Sequence, residues 1–380
     1  MKYELTTPQT GHTAESSSNR LVSLDVMRGL IVAAMIVVNF SLGEDGFGQF
    51  SVYPTLVHAE WIGFTFADFV FPAFLFMVGM SISLTTRSSA SLDSASIRRI
   101  CMRTVRLFIL GFLLSNFLYQ WIHGWAFDGR FVIMGVLQRI GLCYAVAAIL
   151  SRTLSARTLG VVAGAILVLY WPLALIPTPD HRYVDLAVPG MNFVAWVDRT
   201  LLGRHVWVAG PSGYDTAGLL STLPSIAQSL LGVVAGRIFS KDARATKGLA
   251  RFFVVGVILS IAGLIWGLYF PIIKSLWTSS FVLLSTGLSI MLLAICQALF
   301  SADNAAARFF VVFGRNAILA YALQFVLDTV VLLPIVRSLH QFLLSLTSPP
   351  FASFCIAMVF MFLIWAPIAV LNRQNRSVRI

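Results

Sequence analysis

The sequence predicts an all-α protein that crosses a membrane about ten times. Hydrophobic residues make up 58% of its 380 residues, charged residues only 11%, and the mean hydropathy is +0.84. A water-soluble domain is nearer half apolar and a quarter charged, and a disordered chain has low hydrophobicity, so both classes are excluded. Barrel strands alternate over short segments, whereas the apolar runs here are long and continuous, as membrane helices require.

Ten apolar runs define the predicted spans. The second contains Pro72, where the helix can break, although membrane helices tolerate proline when neighbours satisfy the freed carbonyl. The approximate spans are 24–41, 62–84, 105–121, 130–150, 158–176, 217–239, 252–270, 278–300, 309–333 and 351–371. The predicted organisation is a polar tail at 1–19, one transmembrane domain at 20–371 and a basic tail at 372–380. The first tail lacks an apolar segment, so a cleaved signal peptide is not predicted.

The charge of the connecting loops alternates along the chain. Of the 27 basic residues, 18 fall on one side of the predicted spans, six on the other and three inside them. The positive-inside rule therefore places both termini in the cytoplasm of an inner-membrane protein, which agrees with an even number of spans. The net charge of +11 is then explained by loop anchors at the lipid bilayer and indicates no nucleic-acid partner.

Several common site motifs are absent from the sequence. The four cysteines form no CxxC pair, and no His/Cys cluster has zinc spacing, so neither a metal site nor a disulfide is predicted. The chain contains neither GxxxxGK[ST] nor GxGxxG, so ATP or NAD chemistry has no support.

Polar residues form a stripe along the first predicted span. Arg28 lies about 60° and Asn39 about 40° from Asp25 around a helix, so all three share one face. Charged groups inside a span tend to mark sites or pathways. The stripe is either a polar cavity wall or an interfacial Asp–Arg pair with an unrelated helix-end Asn.

A second polar group surrounds the start of the second span. His58 can exchange a proton near neutral pH, and Asp68 lies in an apolar run where an unpaired carboxylate is costly. A His58–Asp68 pair solves both problems, because the carboxylate orients the ring and stabilises its protonated form. The alternative is a lone interfacial His with an unrelated Asp.

Two further spans carry polar pairs. Gln138 and Arg139 lie in the fourth, and Arg315 and Asn316 lie in the ninth. An intramembrane arginine needs a carboxylate, a phosphate or carbonyl oxygens. Hydrogen bonding between helices is an equally good explanation of such residues.

These motifs together resemble the heparan-α-glucosaminide N-acetyltransferase family. The resemblance follows their order and spacing over roughly residues 20–371, and the second motif is long and specific. The matching runs are Arg20-Leu-Val-Ser-Leu-Asp25-Val-Met-Arg28-Gly29 with Asn39, then His58-Ala59-x-Trp61-x-Gly63-x-Thr65-x-x-Asp68-x-x-Phe71-Pro72, Val136-Leu137-Gln138-Arg139-Ile140-Gly141, Tyr214-Asp215-x-x-Gly218 and Leu276-Trp277-x-x-Ser280.

The resemblance implies transfer of an acetyl group from cytoplasmic acetyl-CoA to an amino sugar across the membrane. It implies that His58 is catalytic with Asn39 beside it, and it is the sole basis for expecting a homodimer. The sequence departs from animal members in lacking the large domain before the first motif and in a longer gap between Asn39 and His58. Ile62 replaces a polar residue of the animal members, and Glu60 adds a charge near His58. These departures concern the acceptor side of the predicted site more than the chemistry.

The residues fit this chemistry in several ways. His58 can act as a general base or as an acetyl-carrying nucleophile, Asp68 can orient it, and Asn39 can stabilise the developing oxyanion. Arginine recognises phosphates by paired hydrogen bonds, which makes the intramembrane arginines candidates for CoA. The predicted CoA-binding set is Asp25, Arg28, Gln138, Arg139, Arg315 and Asn316, and the predicted acceptor-binding set is Glu60, Trp61, Tyr214, Asp215 and Trp277.

The sequence leaves the route of the donor and the class of the protein open. His58 is predicted outside and acetyl-CoA inside, so either the site lies deeper than the span limits indicate or, as is expected here, the pantetheine arm reaches it through a channel lined by the first, second, fourth and ninth spans. An O-acyltransferase acting on glycan hydroxyls would use the same His58–Asp68 pair. A sugar transporter also needs buried charges and broken helices, but it predicts inverted halves, which the sequence does not display.

Overall fold

The computed structural model of the protein describes residues 11–41, 52–85, 92–118, 130–180, 183–242, 246–301, 304–331 and 334–374. Apart from two isolated β-bridges, the regular structure in these ranges is helical. The helices are α1 (Gly11–Phe40), α2 (Phe66–Thr85), α3 (Ser94–Leu113), α4 (Val136–Thr153), α5 (Ala156–Ala174), α6 (Phe193–Leu202), α7 (Thr222–Asp242), α8 (Thr246–Trp266), α9 (Ser279–Leu299), α10 (Ala305–Arg315), α11 (Ala317–Val331), α12 (Pro334–Leu346) and α13 (Pro349–Arg373).

The predicted all-α membrane fold is confirmed, with a smaller number of spans. Within the described residues, eight helices are long and apolar enough to cross a membrane, and the bent pair α10–α11 makes a ninth. The fourth predicted span, α4, is not among them. Its 18 residues include Gln138, Arg139 and Arg152, whose polarity lowers the mean hydropathy of a short helix.

Two helices begin at residues that differ from the predicted starts of the spans. α2 starts at Phe66 rather than near 62 and continues through Pro72, so no break occurs there. α3 starts at Ser94, so the arginines assigned to a loop at 85–106 lie largely on a helix. The Asp93 side chain accepts a hydrogen bond from the Ser96 N–H at 2.9 Å, which caps this helix early.

The ninth predicted span is not one helix. α10 and α11 meet at an angle of 78°, and the residue between them is Asn316, with φ −125° and ψ 34°. Its N–H bonds the Phe313 carbonyl and ends α10, while its own carbonyl accepts from the Ala320 N–H in α11. Asn316 therefore satisfies backbone groups on both sides of the bend.

Close helix contacts place α1 and α2 at the centre of the fold. A Cβ at Gly29 of α1 would lie 1.8 Å from the Phe310 carbonyl oxygen of α10, and one at Gly314 would lie 1.9 Å from the Asp25 carbonyl oxygen. A Cβ at Gly79 of α2 would lie 1.9 Å from the Ser229 carbonyl oxygen of α7. Such glycines let two helix backbones approach closely in a membrane, where small residues favour association.

Helices α6 and α12 lie in segments predicted as loops. α6 belongs to the long segment 177–216, and α12 connects α11 to α13.

Residues 11–19 of the predicted polar tail are helical. Residues 1–10 and 375–380 of the two predicted tails, and Glu44 and Asp45 of the predicted outer loop, lie outside the described residues. The side of the membrane on which the termini lie remains a prediction.

Candidate active site

Asp68 is the centre of the candidate site. It lies in the first turn of α2 and is fully buried, and its Oδ2 accepts hydrogen bonds from the Ala59 N–H, the Thr65 N–H and the Thr65 hydroxyl, each at 3.1 Å. The N-terminal end of a helix also favours negative charge. Its other oxygen, Oδ1, is left facing the segment before the helix and the α8–α9 connection.

The structure brings His58 to this carboxylate. The Nδ1 atom of His58 lies 2.9 Å from Asp68 Oδ1, and the His58 side chain is 50% exposed. Because a carboxylate accepts the hydrogen bond, the proton of a neutral ring is assigned to Nδ1, which makes Nε2 the proton-accepting atom of the ring. The arrangement therefore joins a buried orienting carboxylate to a solvent-facing proton acceptor.

Lys274 completes the cluster and was not predicted. Its Nζ atom lies 2.9 Å from His58 Nδ1, 3.2 Å from His58 Nε2 and 3.3 Å from Asp68 Oδ1. Burial lowers the pKa of Lys274, and the negative charge of Asp68 opposes that shift. The sequence holds one signal for it, since Lys274 is one of only four lysines and lies on the predicted outer side, like His58.

The backbone around Lys274 is fixed against the His58 segment. The Gly63 N–H donates to the Ile272 carbonyl at 2.9 Å, and Ile62 pairs with Ile273 in a β-bridge. The Lys274 carbonyl in turn accepts from the Trp277 N–H at 2.9 Å. Two loops that are far apart in sequence are thus joined directly beside the reactive side chains.

Trp277, predicted to bind the acceptor, instead anchors this turn. Its φ of 53° lies in the left-handed region that non-glycine residues rarely adopt, and its side chain is fully buried. The indole N–H donates to Gln228 Oε1 at 2.9 Å, and the Arg139 guanidinium lies 4.9 Å from the ring centre. Trp277 has no exposed surface in this structure, and its N–H bond to the Lys274 carbonyl lies within the turn that carries Lys274.

The structure also shows the surroundings of three other predicted acceptor residues and of Asn39, which was predicted to be catalytic. Trp61 and Tyr214 form an edge-to-face pair with ring centres 5.0 Å apart, and the Trp61 indole donates to the Leu186 carbonyl at 2.8 Å. Glu60 is exposed beside His58 in the chain. Asn39 is exposed in the last turn of α1, and the structure records no hydrogen bond between it and His58 among the described residues.

Arg139 lies in a second, buried cluster. Its guanidinium donates to the Gly218 carbonyl at 3.3 Å and to the Ser221 hydroxyl, while its Nε and Nη1 have no partner among the described residues. Two buried carboxylates, Asp198 and Asp215, lie close enough to Arg139 to interact with its charge.

The carboxylates of this second cluster are held by backbone N–H groups. Asp215 accepts from the Trp207 and Ala217 N–H groups at 3.1 and 2.7 Å, and Asp198 Oδ1 accepts from the Leu219 N–H at 2.8 Å. Asp215 therefore supports a loop rather than facing an open acceptor site. Asp198 was not singled out from the sequence, because nothing local distinguishes it from other loop carboxylates.

Burial raises the pKa of Asp198 to about 7, and the Asp215 charge adds to this while the Leu219 N–H and Arg139 oppose it. The folded protein then binds a proton between about pH 4 and 7 that the unfolded chain has released, so stability falls as the pH rises through this window. We expect Asp198→Asn to reduce that fall and to stabilise the protein by roughly 1–4 kcal/mol at pH 8.

Thermal unfolding in detergent at pH 5 and pH 8 measures this effect. Asp185→Asn is a suitable control, since the Asp185 carboxylate is only half-buried and accepts a single bond from the Ala187 N–H at 2.8 Å. Equal pH slopes for wild type and Asp198→Asn would contradict the assignment.

Gln138 and Arg139 are adjacent in the chain, but their side chains have different surroundings. It is fully buried, and neither amide atom has a hydrogen-bond partner among the described residues. A Cβ at Gly111 of α3 would lie 2.4 Å from its Oε1 atom. Gln138 thus fills space between α3 and α4, while Arg139 turns toward the α6–α7 segment.

A third cluster forms where α1, α2 and α10 meet. Arg28 donates to Asp25 Oδ1 at 3.0 Å, to the Gly314 carbonyl at 3.2 Å and to the Ser81 hydroxyl at 2.7 Å. Arg315 Nε lies 3.6 Å from Asp25 Oδ2, and the Arg315 side chain is exposed. The structure thus brings together Asp25, Arg28 and Arg315, which were predicted to bind CoA. Gln138 and Arg139, from the same predicted set, lie elsewhere.

This arginine cluster and the His58 cluster lie at opposite ends of α2. Asp68 is in the first turn and Ser81 in the last part of the helix, and 13 residues at 1.5 Å rise separate them by about 20 Å. α1 runs between the same two ends, from Asp25 to Asn39. The two clusters therefore face opposite ends of one central helix pair. Within the described residues, no group of three His, Cys, Asp or Glu side chains could hold a metal ion.

The chain is similar both to a family model and to individual curated proteins. The family model described as heparan-alpha-glucosaminide N-acetyltransferase, catalytic, matches residues 20–264. The mouse (Mus musculus) heparan-alpha-glucosaminide N-acetyltransferase is 29% identical over 325 residues, covering 71% of this chain and 48% of the mouse protein. The human (Homo sapiens) protein of the same name is 28% identical over 315 residues, covering 69% and 46%. The chain thus spans about half the length of the curated relatives it matches.

Proposed function

Because the chain belongs to the heparan-alpha-glucosaminide N-acetyltransferase family, we propose that it transfers the acetyl group of acetyl-CoA to the amine of a glucosamine-type sugar at an inner membrane. The observation that carries the proposal is the His58–Asp68 pair, with 2.9 Å between Nδ1 and Oδ1 and with Nε2 directed away from the carboxylate. Acyl transfer to an amine requires a proton acceptor of this kind.

His58 supports either of two routes. As a general base, its Nε2 takes a proton from the sugar amine while the nitrogen attacks the thioester carbon and the C–S bond breaks. As a nucleophile, Nε2 first takes the acetyl group and releases CoA, and the amine then takes the acetyl group from the ring. In both routes Asp68 orients the ring and stabilises the positive charge that it gains. Asn39 is proposed to donate a hydrogen bond to the thioester oxygen as it gains negative charge.

The arginine cluster is proposed to receive the phosphates of acetyl-CoA. Arg315 is exposed and Arg28 lies beside it through Asp25, so guanidinium groups are available at the end of α2 opposite His58. The pantetheine arm would extend along the central helix pair toward His58. The proposed donor route is thus lined by α1, α2 and α10, without α4.

The acceptor is proposed to bind near the exposed edge of His58. Trp61, three residues from His58 in the chain, is buried and packs edge-to-face on the half-buried Tyr214, whose ring is the proposed aromatic contact. Glu60 offers an exposed carboxylate that attracts an ammonium group. The same His–Asp geometry can activate a hydroxyl, so the O-acylation of a glycan is the second candidate. An assay that separates amine from hydroxyl acceptors decides between them.

The test uses purified protein in detergent and acetyl-CoA labelled in its acetyl group. Glucosamine and glucose serve as matched acceptors that differ in the amine. Labelled N-acetylglucosamine with no labelled glucose supports the proposal. Label on both sugars, or on glucose alone, favours O-acylation. If a folded preparation labels neither sugar, the enzyme proposal fails and sugar transport becomes the leading alternative.

Arg315→Ala is expected to raise the KM for acetyl-CoA by about 3- to 10-fold with little change in kcat, because an exposed charge-assisted contact contributes roughly 1 kcal/mol. Steady-state kinetics at fixed glucosamine measure this. Arg308→Ala is the matched control, since Arg308 is also exposed on α10, seven residues earlier. An equal KM change in both variants would indicate a general effect of surface charge and would remove Arg315 from the proposed donor site.

A further inference from the structure

The Lys274 side chain presents an amine inside the candidate active site. Its Nζ atom lies 3.2 Å from His58 Nε2 and 2.9 Å from Nδ1. A lysine amine and the amine of glucosamine are both primary amines, so they are the same class of acyl acceptor. The protein therefore carries, at hydrogen-bond distance from its proposed base, a group chemically equivalent to its proposed substrate.

We propose that Lys274 is a self-acylation site that receives the acetyl group on Nζ when acetyl-CoA is bound and no amino sugar is present. This inference rests on the proposed function, since it uses the same donor and the same His58. It adds a modification site within the chain and a form of the enzyme whose activity is lowered by reaction with its own donor substrate.

The reaction balances without any further reactant. The Nζ lone pair attacks the acetyl carbonyl carbon, an N–C amide bond forms, and the C–S bond to CoA breaks. One amine proton passes to His58 and from there to the departing sulfur, so that CoA leaves as the thiol. If the acetyl group first rests on His58 Nε2, Lys274 Nζ is 3.2 Å from the atom that carries it.

Three features of the site favour this transfer. The 3.2 Å between Nζ and His58 Nε2 is within the hydrogen-bond reach that a general base needs to accept a proton from the amine. The α8–α9 turn holds the lysine there through the Ile62–Ile273 bridge and the bond between the Trp277 N–H and the Lys274 carbonyl. Burial lowers the pKa of Lys274 and so favours the neutral, nucleophilic amine, although Asp68 opposes this.

Acetylation changes the charge balance of the cluster. The amide formed is neutral and cannot pair with Asp68 Oδ1, from which Nζ now lies 3.3 Å. The added acetyl group also occupies space beside both ring nitrogens of His58. Acylated protein is therefore expected to transfer acetyl groups to glucosamine more slowly than unmodified protein.

The chain supplies its own controls for a test on the wild-type protein. Besides Lys274 it contains only Lys2, Lys241 and Lys247. Purified protein is incubated with acetyl-CoA, and acetylation at each lysine is followed over time by peptide mass spectrometry. We expect Lys274 to be acetylated about 100-fold faster than the other three, since general-base assistance contributes at least that factor. Added glucosamine should slow the modification, and His58→Ala should abolish it.

Transfer to glucosamine is measured on the same preparation in parallel samples that contain the sugar, which separates the two proposals. Lys274 that stays unmodified with acetyl-CoA alone, in a preparation that acetylates added glucosamine, would overturn the self-acylation and leave the proposed function standing. Equal rates at all four lysines, or an unchanged Lys274 rate in His58→Ala, would identify uncatalysed chemistry and would also overturn it. If neither the sugar nor Lys274 is acetylated, both proposals fail.

Discussion

Asp68→Asn is expected to lower kcat for acetyl transfer by about 10²- to 10⁴-fold. The asparagine amide can present its N–H₂ group to His58 Nδ1, which favours the tautomer with the proton on Nε2 and removes the lone pair that accepts the substrate proton. It also removes the negative charge that stabilises protonated His58. His58→Ala is expected to cause a loss of the same size, because the two residues act as one unit.

The double variant distinguishes this explanation from two independent effects. If His58 and Asp68 act together, His58→Ala/Asp68→Asn should be about as slow as His58→Ala alone. Losses that multiply would show separate roles. Kinetics with labelled acetyl-CoA and glucosamine provide the rates, and Asp185→Asn supplies a control carboxylate outside the site.

Asp68 also supports local structure, so the folded state must be monitored. Its Oδ2 accepts three hydrogen bonds from Ala59 and Thr65, and the side-chain oxygen of the substituted asparagine can keep part of this set. Thermal unfolding in detergent should therefore shift only modestly. Thr65→Val removes one hydroxyl donor to Oδ2 while leaving the charge, and a much smaller kinetic loss is expected for it. A loss as large as that of Asp68→Asn would indicate that packing, not charge, controls the rate.

The second large effect is expected on stability, at the crossing of α1 and α10. Gly314→Ala would place a Cβ 1.9 Å from the Asp25 carbonyl oxygen, and Gly29→Ala would place one 1.8 Å from the Phe310 carbonyl oxygen. Both obstacles are backbone atoms, so the helices must separate. We expect each variant to be destabilised by about 3 kcal/mol, the upper end of the 1–3 kcal/mol that overpacking typically costs.

Unfolding temperature and the monodisperse fraction in detergent measure this loss. Gly164→Ala is the matched control, because nothing lies within 4 Å of a Cβ built at that position of α5. The control should be neutral or slightly stabilised, since alanine is the better helix former. Equal unfolding temperatures for Gly314→Ala and Gly164→Ala would show that α1 and α10 do not pack as closely as described.

The glycine variants also bear on the proposed donor site. Arg28 donates to the Gly314 carbonyl, and Arg315 pairs with Asp25, so the arginine cluster is built on this helix crossing. Any variant that separates α1 from α10 should also raise the KM for acetyl-CoA at temperatures where the protein remains folded. The fold and the proposed donor site thus depend on the same close approach.

The sequence by itself determined the fold class and the residues around His58. Long apolar runs predict membrane-spanning helices, because only helices and closed barrels satisfy the backbone in lipid and barrel strands alternate over short segments. The His58 and Asp68 pairing was predictable because only ten residues separate them and a lone buried carboxylate is costly. The family resemblance was predicted over roughly residues 20–371, and the family model matches residues 20–264, which contain all of its quoted motifs except Leu276-Trp277-x-x-Ser280.

Tertiary structure alone decided the third member of the cluster and the division of the arginines. Lys274 is 216 residues from His58, and no periodicity or local spacing relates two loops so far apart. Arg28 and Arg139 looked equivalent as intramembrane charges, but one faces α2 and α10 while the other is buried against Trp277. Sequence patterns report which face of a helix is polar, whereas the packing of helices determines what that face meets.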